Sequence, residues 1–274
     1  MKNLGNMTMK KRQRGMGLVE LMISLVISLV LLGALTYFYL GSQQMNRTQD
    51  DVSRMQESGR NAMEILGKAI RQAGFKLDPE RLFVNAIIGT NGDNELGPSA
   101  LADTITIRHD PTWKPTAANP LAGEEPDCEG FTKTSDNAGF DSLGMRSLNT
   151  QVVAYAFSIS VIPGNSTRTL RCNNTAGNPA TGGTIIVDNI ENMQITYGIG
   201  DGLGSVTAYV AQPTAAQFAQ VVAVRVSLLI RGPSANVTAN RSQTYTYNGA
   251  MTTATDGFLR HVYTSTFAVR NQAF

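Results

Sequence analysis

Charge is almost absent from one long stretch of this chain. Between Met16 and Leu40 the single charged side chain is Glu20. Proline is missing until Pro79, so nothing forbids a long uninterrupted helix before that point. Histidine is limited to His109 and His261, far apart in sequence, which leaves little material for a metal site or for general-base chemistry. No G-x-S-x-G elbow exists; Gly139-Phe-Asp-Ser142-Leu-Gly144 has the wrong spacing. Asp103 and Asp110 flank a candidate strand without an evident partner. These shortages point away from an enzyme. The lone tryptophan, Trp113, sits in a Pro-flanked loop and reads as a packing anchor. Cysteine is limited to Cys128 and Cys172, both far downstream of the apolar stretch. Export of that part favours their pairing; two free buried thiols are the alternative.

The 274 residues suffice for one large or two small domains. The formal net charge of +2 implies no nucleic-acid partner, and it is unevenly placed. Lys2, Lys10, Lys11, Arg12 and Arg14 precede the apolar run, and taking these five positive charges from +2 leaves a body at −3. The apolar run itself, 25 residues, would span about 37 Å as helix, enough to cross a bilayer. The basic leader places the N-terminus in the cytoplasm and the rest outside it. A secretory signal would have a shorter apolar region and a small-x-small cleavage site. A plain anchor explains the length but not a carboxylate at membrane depth, which costs a few kcal/mol. A first-turn acid favoured by the helix dipole is a third reading. Gly17, Glu20, Ser24 and Ser28 recur at steps of three, four and four, one small-and-polar stripe on a leucine-rich surface.

The run Arg14-Gly15-Met16-Gly17-Leu18-Val19-Glu20-Leu21-Met22 resembles the N-terminal signal of type IV prepilins and type II secretion pseudopilins. The resemblance implies that a membrane peptidase cuts after Gly15 and methylates the new amine of Met16. It makes Glu20 the carboxylate that promotes assembly, with Gly17, Ser24 and Ser28 as a helix-packing stripe. Met16 stands where Phe is common and Gly17 where Thr or Ser is common. The helix also lacks the proline that major pilins often carry.

Beyond Leu40 the chain turns polar but keeps helical spacing. Met45, Val52, Met55, Ala62, Met63, Leu66, Ala69, Ile70 and Ala73 recur at threes, fours and sevens. One helix is expected from about Met16 to Ala73, with Gly74 as its C-cap and the apolar stripe docked on the following domain. Alternation then marks strands at 104–108, 152–161, 185–190, 193–197, 221–230 and 262–269, with long loops at 89–103, 110–150 and 232–242. The expected fold is α+β and type IV pilin-like: a long N-terminal helix packed on a C-terminal antiparallel β-sheet domain. Its segments are a basic leader (1–15), a transmembrane and filament-core half-helix (16–40), an amphipathic half (41–74) and a β-rich globular domain (75–274).

Five stretches make the body similar to the PilW family of minor pilins: 102–108 (ADTITIR), 127–130 (DCEG), 187–198 (VDNIENMQITYG), 221–231 (VVAVRVSLLIR) and 260–271 (RHVYTSTFAVRN). Similar proteins often carry an acidic turn after the tyrosine-glycine pair. Here it reads Gly200-Asp201-Gly202-Leu203-Gly204, whose single carboxylate is too few for calcium, so a glycine-rich hairpin turn is expected and no metal or cofactor. The resemblance implies a non-enzymatic subunit of the type IV pilus. It would be processed by prepilin peptidase, prime pilus assembly, and support twitching motility and adhesion. The implied partners are other minor pilins, the major pilin and the inner-membrane assembly platform. The chain would sit as a single-pass inner-membrane protein with a periplasmic domain, then at or near the pilus tip. The alternative is a minor pseudopilin of a type II secretion system.

Overall fold

The computed structural model describes residues 17–76, 85–92, 102–110, 123–126, 128, 132–135, 153–161, 167–173, 183–235 and 242–271. The chain divides into two compact units, residues 1–47 and 48–274. Helix α1, Leu18–Gln72, contributes residues 18–47 to the first unit and 48–72 to the second. It contains no proline, and the chain leaves it where Gly74 turns to φ 73°, a left-handed backbone that costs glycine nothing. The Gly74 amide then donates to the Arg108 carbonyl at 2.9 Å, which ties the helix exit to the sheet. The expected C-cap is therefore in place.

The second unit is antiparallel throughout. One five-stranded sheet runs in the order β1 (Ile87–Thr90), β2 (Thr104–His109), β5 (Val153–Val161), β6 (Arg168–Asn173), β7 (Thr184–Asp188). A four-stranded sheet runs β13 (Arg260–Ala268), β10 (Val221–Arg231), β8 (Ile190–Gly200), β9 (Val206–Val210). The short helix α2, Ala215–Phe218, lies between β9 and β10 with a Thr214–Gln217 capping box. Two hairpins form two-stranded sheets of their own, β3 (Gly123–Pro126) with β4 (Thr132–Ser135), and β11 (Gln243–Tyr247) with β12 (Ala250–Ala254), the second packed on the four-stranded sheet through Leu229 and Val262. The first hairpin lies inside 110–150, expected as unbroken loop. β8 begins at Ile190 rather than Met193, set off from β7 by Asn189 at φ 63°. The helix and both sheets share one core, in which Met55, Leu66, Ile70, Ile107, Phe157, Leu170, Met193, Ile195, Val226 and Leu228 are buried.

Part of the helix stripe behaves as its spacing implies, and part does not. Ala62, Leu66, Ile70 and Ala73 are fully buried, whereas Met45 is 64% exposed. Close approach is set by two glycines the periodicity ignored. A Cβ on Gly59 would lie 2.7 Å from the Tyr263 ring, and one on Gly67 would lie 2.5 Å from the Phe267 ring. Both aromatics belong to β13, and they pack into the spaces the missing side chains leave. Asp51, also on the helix, is buried and accepts from the Ser234 amide at 3.1 Å and its hydroxyl at 2.8 Å. A Cβ at Gly232 would sit 2.7 Å from that carboxylate, so the turn after β10 closes directly on it.

Cys128 and Cys172 are joined, with Cα atoms 6.0 Å apart and a sequence separation of 44. Cys172 is fully buried in the core, so the bond anchors Cys128 to β6. Replacing both by serine is expected to cost the folded domain roughly 4 kcal/mol in the chain-entropy account. Urea unfolding of residues 48–274, with and without reductant, measures it. A loss under about 1 kcal/mol would mean that native strain or residual structure in the unfolded chain offsets the loop-closure gain.

Candidate assembly site

In the first unit the apolar character is unmasked. Every side chain from Gly17 to Arg47 is exposed, among them Leu18 at 77% and Phe38 at 75%. A contiguous apolar surface of this extent marks a membrane or protein interface. The helix is long and apolar enough to cross a membrane, with a mean hydropathy of 2.6 in its richest window.

The stripe read from the sequence lies at the start of that helix. Gly15 and Met16, the cleavage and methylation candidates, fall outside the described residues. The Gly17 carbonyl accepts from the Glu20 amide at 3.0 Å and the Leu21 amide at 3.2 Å, so Gly17 opens the helix and Glu20 lies in its first turn. Ser24 donates its hydroxyl back to the Glu20 carbonyl at 2.6 Å, and Ser28 to the Ser24 carbonyl at 2.7 Å. Thr36 does the same to Leu32 at 2.8 Å. Hydroxyls bonded to the preceding turn need no partner in lipid. Glu20 differs: among the described residues nothing hydrogen-bonds or ion-pairs with its carboxylate. The stripe thus holds one unmet polar demand, at the end nearest the N-terminus.

Two family models match the chain. Residues 10–36 match the Prokaryotic N-terminal methylation motif, and residues 156–271 match Type IV Pilus-assembly protein W. Residues 156–271 thus have a PilW-type body and residues 10–36 a prepilin-type signal. Two solved structures also align with it. One is the Type IV-like pilin TTHA1219 from Thermus thermophilus, 15% identical over 83% of this chain and 98% of that one, with a TM-score of 0.42. The other belongs to the GspK-GspI-GspJ complex of the enterotoxigenic Escherichia coli Type 2 Secretion System, 12% identical over 78% and 96%, with a TM-score of 0.30. No curated protein matches the chain.

Within the PilW-matched region, three of the stretches noted in the sequence meet at one buried charge cluster. Glu191 of β8 takes Arg260 of β13 in a two-pronged grip, Nε at 2.6 Å and Nη2 at 2.9 Å. Asp256 grips the same guanidinium, with Nη1 at 2.7 Å. Arg231 of β10 approaches Glu191 at 3.7 Å and stacks on the Phe258 ring at 4.4 Å. Burial works against the charge on Arg260, but its bonds to Asp256 and Glu191 outweigh that and hold it more firmly protonated than usual. Those bonds draw the Asp256 carboxyl below its ordinary range. Gln243 closes the arrangement, accepting from the Arg260 amide at 2.6 Å and donating to its carbonyl at 2.8 Å. The Arg260 guanidinium has its bonds filled from within the cluster, whereas the Arg231 Nε is buried without a partner among the described residues; the arrangement around Arg260 suits a rivet between strands.

Asp103 and Asp110, partnerless in the sequence, find backbone partners. The Asp103 carboxylate accepts from the Gly92 amide at 2.8 Å and the Ile195 amide at 2.6 Å, while its own amide donates to Met193 at 2.8 Å. It thereby stitches the segment before β2 to the part of β8 that β9 does not reach. The Asp110 amide donates to the Phe75 carbonyl at 2.8 Å. His109 is buried with its ring 5.4 Å from Tyr155, and His261 is exposed. Trp113 lies outside the described residues. At the glycine-rich turn, Asp201 accepts from Leu203 at 2.8 Å and Ser205 at 3.1 Å, an internal cap on the β8–β9 hairpin that lowers its carboxyl pKa.

Burial raises the Asp103 pKa from 3.8 to about 6, against the two backbone bonds that lower it. The folded chain therefore holds this proton where the unfolded chain releases it. The associated stability is present below about pH 4 and is lost as the pH rises through 6, about 3 kcal/mol for a shift of this size. Urea titrations of residues 48–274 between pH 4 and 7 should show that decline, and Asp103→Asn should flatten it. Parallel profiles for the two proteins would rule out Asp103 as its source.

Proposed function

We propose that this chain is a minor subunit of a type IV pilus, trimmed after Gly15, methylated at Met16 and used to prime filament assembly. The observation that carries the proposal is the contrast within the stripe: Ser24 and Ser28 are satisfied inside their own helix, while Glu20 is not. The new amine created at Met16, on this chain or on a neighbour, is the partner that chemistry offers a carboxylate four residues further on. Such a pair fixes helix register more than it adds raw stability. The subunit is structural, not catalytic. Before assembly it sits in the inner membrane, leader inward and the second unit in the periplasm. Afterwards it lies at or near the pilus tip, beside other minor pilins and the major pilin, where it supports twitching motility and adhesion. Prepilin peptidase and the inner-membrane assembly platform act on it.

The test is a clean deletion in the native host, scored for surface pili and for secreted enzymes. Loss of pili and twitching with normal secretion is the expected result. Intact pili with proteins trapped in the periplasm would reassign the chain to a type II secretion system. Intact mass of the membrane-extracted chain should show the loss of residues 1–15 and the gain of one methyl group. A Gly15→Leu chain should keep its leader.

A further inference from the structure

The charges of α1 do not by themselves fix its depth in a bilayer. From Leu21 to Asn46 no residue is charged, and as helix that stretch is about 39 Å long. The hydrocarbon core of a bilayer is about 30 Å thick, so the helix can ride up or down by about 9 Å without burying a further charge. Centred on the uncharged stretch, the hydrocarbon would run from about residue 24 to about residue 43. That placement sinks Tyr37, Tyr39 and Gln43 among acyl chains and leaves Glu20 outside the hydrocarbon.

The aromatic residues decide the placement. Helix α1 carries three of them, and they are consecutive: Tyr37, Phe38 and Tyr39, all exposed. Successive residues of a helix turn by about 100°, so the rings point in three directions around the axis. A seam against another helix would repeat at threes and fours along one face. Aromatics gathered at one level suit layered surroundings instead, apolar on one side and wet on the other. The flanking sequence has the same layering. Residues 21–36 hold no side chain more polar than serine or threonine, and Ser24, Ser28 and Thr36 bond back into the helix. Ser42, Gln43, Gln44 and Asn46 follow the rings, and the Gln43 amide donates to the Tyr39 hydroxyl at 2.8 Å. The polar tip of that ring is thus met from the polar side.

We propose that Tyr37, Phe38 and Tyr39 form a collar at the headgroup level of the outer leaflet and set the depth at which the helix is held in the membrane. This rests on the reading of the chain as a membrane-inserted subunit with its leader inward. The partner is the lipid interface: ester and phosphate oxygens accept from the tyrosine hydroxyls, and the upper acyl chains cover the ring faces. With the collar at that level, the hydrocarbon extends about 20 residues back along the helix, to about residue 17. Glu20 then lies within it, where an acid must be held if assembly is to relieve it.

The test uses the full chain, reconstituted sparsely in vesicles of phosphatidylethanolamine and phosphatidylglycerol. Single cysteines introduced one at a time from Ile23 to Leu35 carry a nitroxide label, since Cys128 and Cys172 are already joined. The ratio of label collisions with oxygen to those with a water-soluble nickel chelate is greatest at the bilayer centre. The collar places that maximum near Ile27. Tyr37→Leu with Tyr39→Leu should move it toward Gly33 by about three residues or more, because the apolar stretch then runs on without a polar tip. Tyr37→Trp with Tyr39→Trp keeps ring and polar tip and should leave it near Ile27. A parent maximum near Gly33 overturns the placement, and so does a maximum that the leucine pair fails to move. A chain that does not enter the vesicles overturns it together with the membrane reading, whereas an inserted chain centred on Gly33 overturns the placement alone.

Discussion

Glu20→Ala should yield a chain that is inserted and trimmed normally but enters filaments poorly, with surface pili reduced roughly thirty- to hundred-fold. The size follows from where the carboxylate sits. An acid at bilayer depth costs about 2.5–3.5 kcal/mol to hold among lipids. Pairing with an amine on assembly recovers most of that cost, so the acid makes leaving the lipid favourable. Alanine has no such cost to recover, and about 2–3 kcal/mol of drive disappears, at 1.4 kcal/mol per factor of ten. Glu20→Gln should fail nearly as badly, because it keeps the shape and loses the charge. Ser24→Ala should be mild, since that hydroxyl is already bonded to the Glu20 carbonyl. The checks are filament counts by electron microscopy and intact mass of the retained chain. Normal filament numbers in Glu20→Ala would remove the carboxylate from the assembly step.

Arg260→Leu should destabilise the second unit by about 3–5 kcal/mol, the usual cost of breaking a buried ion pair from one side. The guanidinium and the Glu191 side chain are 0% and 6% exposed. Removing the cation leaves the buried Glu191 carboxylate with Arg231, at 3.7 Å, as its remaining ion partner among the described residues. Asp256 suffers less because it is 43% exposed and water can replace the lost bonds. Glu191→Leu in the same chain as Arg260→Leu should recover much of the loss, since an apolar pair of similar volume avoids both desolvation costs. Urea denaturation of the two variants and the parent decides this. A double variant no better than the single would show that the pair supplies net stability by itself.

The helix was legible because its signal is local. Spacing at threes and fours, no proline, and Gly74 at the end together define residues 18–72 closely. The strands at 104–109, 153–161, 221–231 and 260–268 were legible for the same reason, as runs of β-branched residues. β6, β9, β11 and β12 were not, being short and rich in Thr, Arg, Gln and Ala, with no run of Val and Ile. The interactions that join distant segments left no local mark. Glu191 and Arg260 are 69 positions apart, and Asp51 and Ser234 are 183 apart. Gly59 and Gly67 fall on the buried face but look like gaps in a hydrophobic stripe, and only the rings opposite them explain their presence. The polar stripe around Glu20 was fully legible in position. That its serines are internally satisfied was not, because a hydroxyl bonds forward or back according to its rotamer.

On the proposed role as a filament subunit, the disulfide has a mechanical consequence under tension. Pulling on a domain lengthens it only by the chain that can pay out between the points of load. The 44 positions from Cys128 to Cys172 represent about 150 Å of extended chain. A covalent link removes all of that from the extensible length, whatever happens to the sheets around it. It also fastens Cys128 to β6, inside a core shared with the helix. Force entering through the helix can therefore peel away the strands outside this ring while the segment within it is carried as a closed loop.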